Sequence, residues 1–194
     1  MDLKLLSALV VACMLVAATI PYVLDMLKGN TKPHLYTWLV WFVTGAIGTA
    51  GLIYGGGGYP VYTMALGTMM CFLLFILSFR YGTHDIRMSD TVALVVCAIA
   101  ILFWVGLNNP LWSVILGISI DIIAYWPTLR KTYVEPWSES LVSWIMWIFA
   151  PIFSILALEA YNVFTLINYV PIFFVNLLFL GICLARRKII PKTA

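Results

Sequence analysis

Charge is scarce in this sequence: Lys, Arg, Asp and Glu make up 10% of its 194 residues, against roughly 25% in an ordinary soluble domain. With 63% of the residues hydrophobic and a mean hydropathy of +1.03, no water-soluble fold could hide so much apolar surface. The period-two alternation of a barrel strand is also missing. Long apolar runs therefore read as helices, which pair every backbone N–H and C=O inside their own segment when no water is present. Cysteine is scarce, and Cys13, Cys71, Cys97 and Cys183 all lie in apolar runs without CxxC spacing, a pattern of small buried residues that builds neither a disulfide framework nor a metal site. The two histidines, His34 and His84, lie outside those runs. With no converging nucleophile, base or metal ligands, the sequence predicts no catalytic residue, no cofactor, no metal and no enzyme.

What is present is length. Seven apolar runs, at 5–24, 35–54, 59–79, 91–108, 110–129, 140–160 and 162–185, each approach the roughly 20 residues that cross a ~30 Å hydrocarbon core. The first resembles a signal-peptide core, but its leading segment Met1-Asp2-Leu3-Lys4 is barely basic, so it is expected to stay as a span. The basic residues alternate with the runs. Lys28 and Lys32 follow the first, Arg80 and Arg87 the third, Arg130 and Lys131 the fifth, and Arg186, Arg187, Lys188 and Lys192 the seventh. Only Lys4 falls on the other side, and basic residues are retained in the cytoplasm when helices insert. Seven spans with the N-terminus outside and the C-terminus cytoplasmic follow. The net charge of +3 then reads as membrane topology, with the lipid bilayer as partner and no nucleic-acid surface.

The chain also repeats itself. A shift of 106 residues lays Pro21 on Pro127, Leu35 on Leu141, Trp38 on Trp144 and Trp41 on Trp147. Each half has a helix ending near a proline, a basic loop with a second proline (Pro33, Pro136) and a helix opening with WxxW. Three helices per repeat is odd, so a second copy keeps its orientation only if one unpaired helix intervenes. The expected fold is an all-α membrane protein of seven transmembrane helices. Two parallel three-helix repeats, 1–88 and 110–194, are joined by a linker helix at 89–109. Such repeats place a binding site at their interface near the midplane.

The segments Pro21-Tyr22 with Lys28-Gly29-Asn30-Thr31-Lys32, and Trp126-Pro127-Thr128-Leu129-Arg130-Lys131, resemble the PQ-loop repeats of the SWEET superfamily, over almost the whole chain. The resemblance implies an integral protein of the bacterial inner membrane that carries a small solute (a sugar, amino acid, amine or vitamin) by alternating access, with self-association left open. Pro21 and Pro127 would be its hinges. The sequence departs from the pattern at Tyr22 and Thr128, where the motif has glutamine, and near Thr63 and Tyr169, where the sugar carriers place asparagines. A sugar therefore does not follow. The same fold also serves receptors, such as the KDEL receptor, and chaperones that bind a ligand or peptide without carrying it.

Asp121 is the one ionisable side chain deep inside a run, about 11 residues or ~16 Å from its start. A carboxylate there costs on the order of 2.5–3.5 kcal/mol and marks a functional position by default. No Lys or Arg lies within a run to neutralise it, so it either holds a proton, with a hydrogen bond to Ser119 or a threonine, or awaits a cation. Asn168 and Asn176, eight residues apart on one expected helix face, and Thr44 offer further polar groups to the same solute. Trp41 and Trp147, deeper than Trp38 and Trp144, offer a stacking floor, whereas the outer pair is expected in the interfacial aromatic belt. Pro151 and Pro171 are further kink positions, and Gly45, Gly48, Gly51 and Gly55 predict a face of close helix packing. A retinal protein is excluded, because Lys188 lies beyond the seventh run.

Overall fold

The structure, a computed structural model, describes residues 2–106 and 110–191, so Met1 and Lys192 lie outside the described residues. No strand occurs among the described residues; the helices are α1 (Leu3–Leu27), α2 (Leu35–Tyr54), α3 (Pro60–Tyr81), α4 (Met88–Val105), α5 (Pro110–Ile123), α6 (Tyr125–Val134), α7 (Leu141–Ala157), α8 (Val163–Leu166) and α9 (Val170–Ile189), with a single 3-10 turn at Pro136–Ser138. Among the described residues, four segments are long and apolar enough to cross a membrane: Leu3–Leu27, Leu35–Tyr54, Pro60–Tyr81 and Val163–Ile189. Large apolar side chains such as Ile20, Phe72, Ile76, Ile99, Phe149 and Phe174 lie exposed on the outer faces. In water they would form an aggregating surface; against lipid tails they cost nothing.

Local chemistry sets the helix ends. Asp2 caps α1 by accepting from the backbone N–H of Lys4 at 3.2 Å. The turn between α2 and α3 runs through Gly56 and Gly58, whose φ values of +70° and +68° favour residues without a Cβ. Two of the expected helices are interrupted. The fifth run breaks at Ala124, between α5 and α6, three residues before Pro127, because the proline ring clashes with the carbonyl one turn back and offers no N–H to it. The seventh breaks at 167–169, ahead of Pro171 in the first turn of α9. Asn162 and Thr165 close a reciprocal capping box on α8. Pro171 thus starts a helix rather than kinking one, and Asn168 sits in a turn rather than on the helix that carries Asn176. Pro21 lies inside the continuous α1, and Pro151 inside α7.

Helix α1 packs on α7 and α3, and α2 packs on α3, α5 and α6; α9 lies against α7, α6 and α5, while α4 lies against α5, α6 and α2. The glycines of α2 allow this. A Cβ on Gly45 would stand 2.6 Å from Thr68 Oγ1, and one on Gly55 would stand 3.0 Å from Phe164 Cβ. Gly45→Ala should therefore cost about 1–3 kcal/mol, read as a lower apparent melting temperature in detergent; an unchanged melting temperature would show that α3 yields freely.

Hydrogen bonds draw the basic segments to one end of the bundle. Lys32 N–H donates to Ser138 O, Thr83 N–H to Pro33 O, and Arg187 Nε to Pro136 O. At this end Arg130 forks onto the fully buried Asp90, with Nε to Oδ1 at 2.9 Å and Nη2 to Oδ2 at 2.6 Å, and reaches Asp85 through Nη1 at 2.9 Å. Burial opposes ionisation of Asp90, but the Arg130 guanidinium and the Arg87 N–H hold its carboxyl below the usual carboxylate range. His34 is fully buried with Nε2 3.4 Å from Asp90 Oδ2. Burial lowers its imidazole from the ordinary 6.5 to about 4, and nearby Lys131 and Arg130 work the same way against the pull of Asp90.

A base whose folded pKa is depressed takes its proton only when unfolded over that interval, so stability falls as pH drops from about 6.5 towards 4. The loss should reach on the order of 2–3 kcal/mol. Thermal unfolding at about pH 7 and about pH 4.5 should show the loss in the wild type and a flatter profile in His34→Gln. An equal acid loss in the variant would assign the sensitivity elsewhere.

Candidate functional site

Between the two halves of the chain lies a cavity of about 230 Å³. Its walls come from α1, α2 and α3 of the first half and from α5, α6, α7, the 167–169 turn and α9 of the second; no described residue of α4 lines it. Asp121, Asn168, Asn176, Trp41, Trp147 and Thr44 all line it, with Trp38, Trp144, Tyr125, Thr63 and Tyr169. The sequence-predicted binding residues are thus brought together, on five different segments of chain. Pro21 and Pro127 are not lining residues.

Asp121 is in the last turn of α5, just before the break at Ala124. Thr44 Oγ1 approaches Asp121 Oδ1 at 2.5 Å, and Trp41 Nε1 donates to the Asp121 carbonyl at 3.2 Å. The partner is therefore the threonine, since Ser119 Oγ donates to Ile115 O in its own helix. No basic side chain lines the cavity among the described residues.

The helix break frees carbonyls, and α2 takes them up. Besides the Trp41 bond, Thr37 Oγ1 donates to Ala124 O at 2.9 Å, while Thr128 Oγ1 donates to Thr37 Oγ1 at 2.9 Å. The same bond exists in the other direction: Ser143 Oγ, on α7, donates to Ala18 O on α1 at 2.7 Å. Thr37 and Ser143 are 106 residues apart, and so are Ala18 and Ala124. Each half therefore satisfies the carbonyl just ahead of the other half's proline. Sequence reasoning missed this pair, although the repeat offset already aligned two short hydroxyl residues one position before the first tryptophan of each WxxW.

Tryptophans form the floor. Trp38 and Trp144 are only 4% and 1% exposed, which overturns their expected place in an interfacial belt. The reason is packing: Trp144 stacks on Phe179 with centroids 3.8 Å apart, and Trp38 meets Tyr22 edge-on at 5.5 Å. Trp41 and Trp147 join these two clusters, Trp41 lying 5.0 Å from Trp38 and 4.6 Å from Tyr125, and Trp147 lying 5.1 Å from Trp144. Exposed indoles do occur, but on Trp112, Trp126 and Trp137.

Below the floor, towards the basic end, Glu139 and Lys131 form an ion pair with both side chains at 2% exposure or less. Glu139 Oε2 accepts from Trp144 Nε1 at 2.9 Å and from Tyr22 Oη at 3.4 Å, and Lys131 Nζ also donates to Lys32 O at 2.5 Å. Tyr22 thus bonds across to the second half, and Thr128 bonds across to the first. Neither Glu139 nor Lys131 stands out in the sequence, because charged residues in a basic loop read as a topology signal.

The asparagines play unequal parts. Asn176 is engaged on both sides, accepting from Tyr125 Oη at 2.6 Å and donating to Trp147 O at 3.1 Å, so it holds α9 to the floor. Asn168 donates from Nδ2 to Phe164 O at 2.7 Å, and a Cβ on Gly48 would stand 3.0 Å from its Oδ1. Comparison with known proteins adds nothing to these contacts, for no family model, no curated protein and no solved structure matches the chain.

Proposed function

We propose that the chain is a SWEET-like transporter that moves a small polar organic solute across the membrane by alternating access, proton-linked through Asp121. In this reading seven spans form two parallel three-helix repeats joined by α4. The N-terminus lies outside a bacterial inner membrane, and the basic end lies in the cytoplasm. The observation that carries it is a cavity walled by both halves, with the Asp121 carboxylate in its lining and an aromatic and ionic layer at one end. The exchange of bonds between Thr37 and Ala124, and between Ser143 and Ala18, supports the repeat plan. Such contacts let one half rock against the other about a pseudo-twofold axis, with Pro21 and Pro127 as the points of bending.

The test is counterflow. Liposomes holding purified protein and a millimolar unlabelled solute should accumulate the labelled form transiently, across a panel of sugars, amino acids, amines and vitamins. Binding in detergent without exchange by liposomes would make the chain a receptor or chaperone of the same fold.

A further inference from the structure

We infer that the cavity takes a small organic ammonium ion, held between the Asp121 carboxylate and the indole faces of the floor; this deepens the transport reading and rests on it. The argument begins with the polar atoms still free to meet a ligand. The four threonine hydroxyls at the wall are already bonded to backbone carbonyls, Thr19 to Leu15 O, Thr44 to Val40 O, Thr63 to Pro60 O and Thr68 to Met64 O, and the Thr44 hydroxyl also meets Asp121. Both ends of the Asn176 amide are used, and the Asn168 amide nitrogen is turned to its own segment. Among the described residues, the side-chain oxygens left without a bond on these groups are Asp121 Oδ2 and Asn168 Oδ1, and both are acceptors. These acceptors suit a ligand with N–H groups, while the lining also holds the Ser154 and Tyr169 hydroxyls, which can donate.

Charge points the same way. Among the described residues Asp121 is the only charged group in the lining, no Lys, Arg or His faces it there, and its carboxyl meets one hydroxyl, that of Thr44, which it shares with Val40 O. A carboxylate in an apolar surround is costly until a cation pairs with it. Trp41 supplies the second element. Its Nε1 is bound to the Asp121 backbone, which fixes the indole beside the carboxylate, and Tyr125 lies one turn beyond Asp121 with its ring 4.6 Å from Trp41. Ring faces attract ammonium groups most strongly where water is excluded.

The probes are n-butylammonium and its neutral analogue 1-butanol, with binding followed by quenching of tryptophan fluorescence in purified full-length protein. The ammonium should bind wild type at least about tenfold more tightly than the alcohol, and Asp121→Asn should erase that preference while keeping its melting temperature. Equal affinities, no binding of either probe, or a preference that survives in Asp121→Asn would each overturn the inference. The wild-type comparison stands even if the variant fails to fold. Ammonium binding without counterflow would sink transport and leave this inference intact; counterflow of a neutral polyol, indifferent to Asp121→Asn, would do the reverse.

Discussion

Lys131→Met should destabilise the protein by about 3–5 kcal/mol, lowering the apparent melting temperature in detergent by roughly 10 °C. The side chain it removes is 2% exposed and pairs with a Glu139 carboxylate that is sealed from solvent. Without the ammonium group, that carboxylate keeps only the Trp144 indole and the Tyr22 hydroxyl, too little to balance the loss of water. Glu139→Gln in the same background removes the orphan charge, and an amide oxygen can still accept both remaining bonds. The double variant Lys131→Met/Glu139→Gln should therefore recover more than half of the loss. A double variant as unstable as Lys131→Met alone would show that the lysine matters through its bonds to Lys32 O and Ser138 O.

On the transport proposal, the same pair would let a plug be tight and still open. Breaking it by mutation strands one ion in the dark of the protein, whereas opening the basic end delivers both ions to water. Desolvation cancels much of the Coulomb attraction of a buried pair, so hydrating both partners together costs far less than deleting one. Tyr22 and Trp144 share Glu139 as acceptor and are themselves part of the tryptophan floor, so release of the carboxylate would loosen the floor and the ionic layer in one movement.

How much of this was legible in the sequence follows from the range of each interaction. The helices were legible because apolar runs and the basic loops between them are local features, and Asp121 was legible because an acid inside such a run is conspicuous by itself. Pro127 announced an interruption, but its place at Ala124 depends on which carbonyl the ring meets. Pro171 carried the same local signal and instead began a helix, because Asn162 and Thr165 had already closed α8 ahead of it. Trp38 and Trp144 were misjudged for a different reason. Indoles near a helix end have the same sequence signature whether they face headgroups or each other, and only the partner helix decides; here Tyr22 and Phe179 do. Cys13 likewise lies exposed on the outer face of α1, whereas Cys97 and Cys183 are buried as expected. Glu139 with Lys131 could not be seen at all, since a loop carboxylate acquires meaning only when packing removes its water.

Asp121→Asn should cut net flux about a hundredfold while leaving the fold in place. An amide of nearly the same shape can still meet the Thr44 hydroxyl, and the bond from Trp41 Nε1 goes to the main chain at residue 121 and is untouched, so the cavity keeps its walls. What disappears is the only charge in the lining among the described residues. Losing a desolvated ionic partner weakens binding of a cationic solute by about 2–5 kcal/mol, on the order of a hundredfold in affinity, which drops occupancy to near zero at any concentration that half-saturates wild type. The proton coupling goes with it, because an amide does not exchange protons in this range. Wild-type flux should vary between about pH 5 and about pH 8, as protons and solute compete for one carboxylate, while the residual flux of Asp121→Asn should be flat. The groups that face Asp121, namely Thr44, Trp41, Tyr125, Cys71 and Cys97, carry no charge at these pH values, so a sloping profile in the variant would place the proton site outside the cavity. Full flux in Asp121→Asn at every pH would reduce Asp121 to a hydrogen-bonded strut between α5 and α2.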